Sequence, residues 1–164
     1  MTIANTYADS NNVGNPGMAN LMQGHTRVIN SGEGATRQLL ASEAGATCLF
    51  DRAAGIVYTL PVTANIGTYY DFLCTVSVTS NSAKVITGAG TQFLVGAVIY
   101  GSGTIAEGGG LFAGNGSSTV YIASNGSTTG GLIGSQYRIT KISSTQWGIS
   151  GVLAGSGVTI TPFG

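Results

Sequence analysis

Few side chains in this sequence could do chemistry, and they lie far apart. The one histidine, His25, sits in a stretch rich in Asn, Gly and Ser, so spacing assembles neither a His pair for a metal nor a Ser/His/Asp relay. Six acidic residues permit a glycosidase-type pair such as Asp51 with Asp71. The simpler reading makes Asp51 the cap of the turn before Gly55 and Asp71 the solvent-side residue of a strand. Cys48 and Cys74 lack zinc spacing and fall inside strand-like runs. They are expected as free buried thiols, and a disulfide between them requires that their strands be neighbours. The glycine runs lack the lysine of a phosphate loop and open no helix. Asn115-Gly116-Ser117 and Asn125-Gly126-Ser127 match the glycosylation triplet, but Asn-Gly is also the strongest short hairpin signal. With no secretory signal in MTIANTYADS, the turn reading is preferred. Trp147 shares its run with Gln146, Gly148 and Ser150 on the opposite face, which suits a core tryptophan better than a sugar-stacking platform. No catalytic residue, cofactor or metal is therefore expected.

Composition narrows the field further. Hydrophobic residues make up 43% of the 164 and mean hydropathy is +0.29, so the chain can build a core. Only 7% of residues are charged, against about 25% in an average domain, and six basic residues cancel six acidic ones. So little charge leaves an isolated monomer poorly protected against association, which implies a surface largely covered by other subunits, as in a homodimer or homotrimer. Neutrality argues against nucleic acid, because phosphate binding needs a basic patch. No apolar run reaches the about 18 residues of a membrane span, so no membrane partner is expected.

The elements that would position these residues are strands. Tyr70, Phe72, Cys74, Val76 and Val78 alternate with Tyr69, Asp71, Thr75, Ser77 and Thr79, and only Leu73 interrupts the polar set. That period of two puts one set on a buried face. As one strand the run would be about 40 Å long, twice the usual length, so a bend or bulge is expected. Ile56, Tyr58 and Leu60 form the apolar face of a preceding strand, which Pro61 ends. Further strands are expected over 37–42, 47–50, 83–88, 92–100, 118–124, 136–142, 146–153 and 158–164, and the glycine-rich stretch 101–116 leaves room for a short one at Leu111-Phe112. The 92–100 run is apolar on both faces and predicts a strand covered on both sides. In the last segment, Val158 and Ile160 are expected inward, with Phe163 plugging one end. No internal repeat and no helix of normal length are apparent. Short strands separated by turn signals predict an all-β, antiparallel β-sandwich, jelly-roll-like, over residues 36–164.

Residues 1–35 are different. They show no sustained period and read either as a disordered tail or as an extended N-terminal arm. Met18, Leu21, Met22 and Val28 favour an arm that docks on a partner, because they are enough to bind and too few to form a core.

Four segments carry a resemblance: LFDRAAGIVYTLP (49–61), GTYYDFLCTVSVTSN (67–81), KVITG (84–88) and QWGISGVLAGSGVTITPFG (146–164). Together they resemble a family of tailed-bacteriophage virion proteins with a TLP turn, a G-x-x-Y-x-F strand, a Trp-containing penultimate strand and a terminus in TPF. The similarity spans about residues 37–164. It implies a capsid decoration (cement) or head-fibre protein with a sandwich or jelly-roll body, placed on the outer capsid surface after assembly in the bacterial cytoplasm. The implied partners are the major capsid protein and further copies of the chain. The other function class left open is a fibre or receptor-binding module that recognises host glycans through aromatics in the 101–134 loops.

Overall fold

The computed structural model describes residues 27–30, 32, 34–80, 82–103 and 108–164. Among these the chain is all-β, with one three-residue 3-10 turn at Ala41–Glu43. The first six strands are β1 (Val28–Ile29), β2 (Thr36–Gln38), β3 (Thr47–Phe50), β4 (Val57–Thr59), β5 (Tyr69–Cys74) and β6 (Ala83–Ile86). They are followed by β7 (Phe93–Ser102), β8 (Gly109–Asn115), β9 (Tyr121–Ser124), β10 (Gln136–Lys141) and β11 (Gln146–Gly155). Two sheets pack face to face: a seven-stranded one in the order β1-β3-β5-β10-β11-β7-β8, and a four-stranded one in the order β2-β4-β6-β9. No described helix is long and apolar enough to cross a membrane.

A sandwich is thus present, but the expected antiparallel pairing holds only in part. From β1 to β6 the chain changes sheet at every strand, so neighbours within a sheet are alternate strands of the sequence and run the same way. β1–β3, β3–β5, β2–β4 and β4–β6 are all parallel, and β7–β11 is parallel as well. The crossover that a parallel pair requires is supplied between β1 and β6 by a strand of the opposite sheet, and between β7 and β11 by β8, β9 and β10. Antiparallel pairs are β5–β10, β10–β11, β7–β8 and β6–β9. The consecutive strands β4 and β5 do not pair but face each other across the core.

That core follows the alternation. Tyr70, Phe72, Cys74 and Val78 are buried, as are Ile56, Tyr58 and Leu60. Val76 is not, because β5 stops at Cys74: the amides of Thr75 and Val76 both donate to the Phe50 carbonyl at 3.1 Å, and the chain bends there. Phe50, Tyr58, Phe72 and Tyr137 form an aromatic cluster with centroid separations from 5.3 to 6.3 Å. The buried phenols find acceptors: Tyr58 donates to the Leu49 carbonyl and Tyr70 to that of Leu40, both at 2.7 Å. Trp147 is a core residue, and its indole N–H donates to Gln92 Oε1 at 3.1 Å. Gln92, the polar interruption at the start of the β7 run, is buried for that purpose.

Three further expectations are corrected. β7 is covered on its inner face only, and Ile99 on the other face is 56% exposed. The C-terminal segment is no full strand. Its backbone hangs on the 127–130 loop, with the Ile160 amide donating to the Thr128 carbonyl, so Val158 and Ile160 point outward. Phe163 does pack on the core, while Pro162–Gly164 line the edge of β9. Finally, a short repeat exists. Asn115-Gly-Ser-Ser-Thr119 and Asn125-Gly-Ser-Thr-Thr129 form the same turn, in which the Asn side chain accepts from the amides two and four residues on. In each, the fifth-position Thr hydroxyl accepts from the Asn amide. These turns are not hairpins, for each carries the chain from one sheet to the other. Gly126 is required in the second: its φ is +79° and a Cβ would overlap the Val78 carbonyl oxygen.

Candidate interaction surface

The outer face of the seven-stranded sheet is the one large surface on which the register assembles functional side chains. Paired residues in a sheet share a face, so the ladders define rows across it. One row runs Val28, Thr47, Asp71, Arg138, Ser150, Ala97, Ala113, and the next runs Leu49, Leu73, Gln136, Val152, Ile99, Leu111. At the centre, Arg138 grips Asp71 with two hydrogen bonds of 2.7 Å and lies 4.2 Å from the centroid of the Tyr69 ring. The carboxylate raises the Arg138 pKa further. Shallow depressions of about 380 and 600 Å³ flank this pair, floored by Gly148, Ser150 and Gly151, whose small side chains leave a trough along β11. Towards β8 the face turns apolar: Val152, Ile99 and Leu111 lie side by side at 46, 56 and 71% exposure.

Of the arm residues expected to bind a partner, Met18, Leu21 and Met22 lie outside the described residues, as does His25. Val28 belongs to the sheet. It pairs with Thr47 and is 59% exposed at the end of the polar row. The sheet therefore begins within the stretch expected as arm. Its entry point is fixed electrostatically: Glu43, 2% exposed, takes Arg37 at 2.8 Å and Arg27 at 3.2 Å on Oε1, and accepts the Leu40 amide on Oε2. The Arg37 Nε is buried without a partner.

The chemical candidates offered by the sequence are not brought together among the described residues. No group of three His, Cys, Asp or Glu side chains could hold a metal. Asp51 follows the end of β3 while Asp71 pairs with Thr47 at its start, so the register does not set the two carboxylates side by side. Cys48 and Cys74 are free, buried and on neighbouring strands. Their register is offset by two residues, which sets their Cα atoms about 8 Å apart, too far for a bridge. Burial, aided by the Glu43 charge, pushes the Cys48 thiol up to about 12, and burial pushes that of Cys74 up to about 11, so neither is a nucleophile at neutral pH.

The residue that sequence reasoning missed is Lys141. It is 2% exposed, donates to the Ser144 carbonyl at 3.0 Å and sits 4.8 Å from the centroid of the Trp147 ring, with no carboxylate partner among the described residues. Burial lowers its pKa. The signal was available, because the period of two places Lys141 on the same face as Tyr137 and Ile139. In the described part of 101–134 no aromatic ring is exposed: Phe112 packs against the core, and Lys84 lies over the ring of half-buried Tyr121 at 4.2 Å. Searches against protein-family models and curated proteins find no match for the chain.

Proposed function

We propose that this chain is a non-enzymatic structural protein of a tailed-bacteriophage virion, one that decorates and cements the outer capsid surface through contacts with its own copies and with the major capsid protein. The observation that carries the reading is the outer face of the seven-stranded sheet, which no described residue covers with a second layer. It is broad, nearly uncharged, and offers shallow troughs and an apolar row where an enzyme would offer a deep cleft with convergent polar groups. Such a face binds by buried area, and the sequence resemblance points to the capsid as what it covers. In this reading the sandwich plays the part of the jelly-roll body of that family, and residues 1–35 that of an arm ordered on assembly. Arm contacts are then mainly apolar and backbone-mediated, so salt weakens attachment little. The glycan-binding alternative needs exposed aromatics in the 101–134 loops, and the described part of those loops presents none.

A protein gel of purified virions tests the proposal. Decoration requires hundreds of copies per particle, retained on washing in high salt. A few dozen copies would indicate a fibre, and absence from the particle would overturn a virion role.

A further inference from the structure

The sandwich has four edges, and three are protected against pairing with another chain. β1 has two residues and β2 three, too short to template a strand. β9 is covered by the chain's own terminus: the amides of Val120 and Tyr121 donate to the Gly164 carbonyl at 2.7 and 2.9 Å, and that of Ala123 to the Pro162 carbonyl. β8 is different. It is seven residues long, pairs among the described residues only with β7, and reads Gly-Gly-Leu-Phe-Ala-Gly-Asn, with no charge, no proline and no bulge. Edges of natural sheets normally carry such guards, and one without them is a site for strand addition.

We propose that β8 is a self-association edge, at which a second copy of this chain adds its own β8 antiparallel across a twofold axis at Leu111, joining the two seven-stranded sheets into one. The ladder geometry supplies the register. Gly116 N–H donates to Leu94 at 2.8 Å, and Asn115 N–H, turned the other way, donates to Thr119 Oγ1. Alternation along an antiparallel ladder then turns the N–H and C=O groups of Gly109, Leu111 and Ala113 outward. Centred on Leu111, these groups satisfy one another across the axis: Leu111 with its symmetry mate, Gly109 with Ala113 of the other copy, about six hydrogen bonds in all. The outer faces fall on the same side, so the row Val152–Ile99–Leu111 continues into its own mirror order on the second copy.

A second copy fits this edge for two reasons. Arg138 and Lys141 are the only charged side chains in residues 108–164, so self-pairing meets no like-charge repulsion. The chain's zero net charge likewise favours association over dispersal. The N-terminal segment enters at β1, the opposite edge of the same sheet. The proposal deepens the self-association half of the function proposed above and stands without its virion half. Absence from virions would leave it intact.

The test uses the full chain. Light scattering after gel filtration should give a mass twice 16.5 kDa, and Ala113→Pro, which removes an outward donor while leaving the pairing to β7, should halve it. Under mild oxidation Leu111→Cys should form a covalent dimer, since directly opposed residues lie about 5.5 Å apart. Ala113→Cys should form far less, because its partner is Gly109 of the other copy. A monomeric wild-type protein overturns the proposal. So does an oligomer that survives Ala113→Pro, or a Leu111→Cys variant that fails to cross-link, as it would if residues 1–26 covered this edge.

Discussion

The two faces of the seven-stranded sheet are built from the same strands and differ in almost everything else. Along β5 and β10 the inner positions are Tyr70, Phe72, Tyr137 and Ile139, all buried against the smaller sheet. One residue over, the outer positions are Tyr69, Asp71, Arg138 and Thr140, held by one ion pair and one ring contact. The inner face has a single packing solution and stabilises the fold. The outer face makes fewer contacts of this kind, and no described residue packs a second layer over it. A face that does no structural work within the chain is where function is to be sought.

Four substitutions sharpen or break this contrast, taken from the largest effect to the smallest. Phe72→Ala should lower unfolding free energy in denaturant by about 3–5 kcal/mol, the loss expected for a buried aromatic. A loss under about 1 kcal/mol would mean that the faces are reversed. Glu43→Gln should cost about 2 kcal/mol, because it withdraws the carboxylate from two arginines and weakens the anchoring of β1. Protection of the Thr47 amide, which donates to the Arg27 carbonyl, should fall with it in hydrogen exchange.

Lys141 is the exception on the inner face, and its sign is opposite. A lysine whose folded pKa is lowered binds fewer protons folded than unfolded, so the penalty for burying its charge is full below the folded pKa and fades as pH rises from there towards the ordinary 10.5. Lys141→Met should therefore stabilise the protein at pH 7, by about 1 kcal/mol, and the difference from wild type should shrink in melts at rising pH. Cys48, raised from 9.0 to about 12, acts the other way: its contribution is lost as pH climbs from 9 to 12 in both proteins, and so cancels from that difference. A difference independent of pH would show that Lys141 has the same pKa folded and unfolded, and that its charge carries no burial penalty. Asp71→Asn, on the outer face, should change stability by less than about 1 kcal/mol, because the pair is half exposed. A larger loss in a thermal melt would give the outer face a structural role after all.

Much of this was legible along the chain because a period of two survives any tertiary arrangement. The alternation from Tyr69 to Cys74, the buried set Ile56, Tyr58 and Leu60, the core position of Trp147 and the free thiols all follow from side-chain type and spacing. The period of two also puts Lys141 on the face of Tyr137 and Ile139, although the burial of its charge was missed. What spacing cannot encode is the partner of each strand. β4 precedes β5 as a hairpin arm would, but Pro61 and the 62–68 connection send β5 to the other sheet, and parallel order follows from that choice. The same limit explains β7, whose apolar outer residues look identical in sequence whether a second layer covers them or not. It explains Val158 and Ile160 too, which alternate like core residues while the Thr128 and Tyr100 contacts of their backbone turn them outward. Local sequence determined which residues prefer a buried strand face; long-range hydrogen bonding, which carries no local pattern, decided which of those faces the described residues cover.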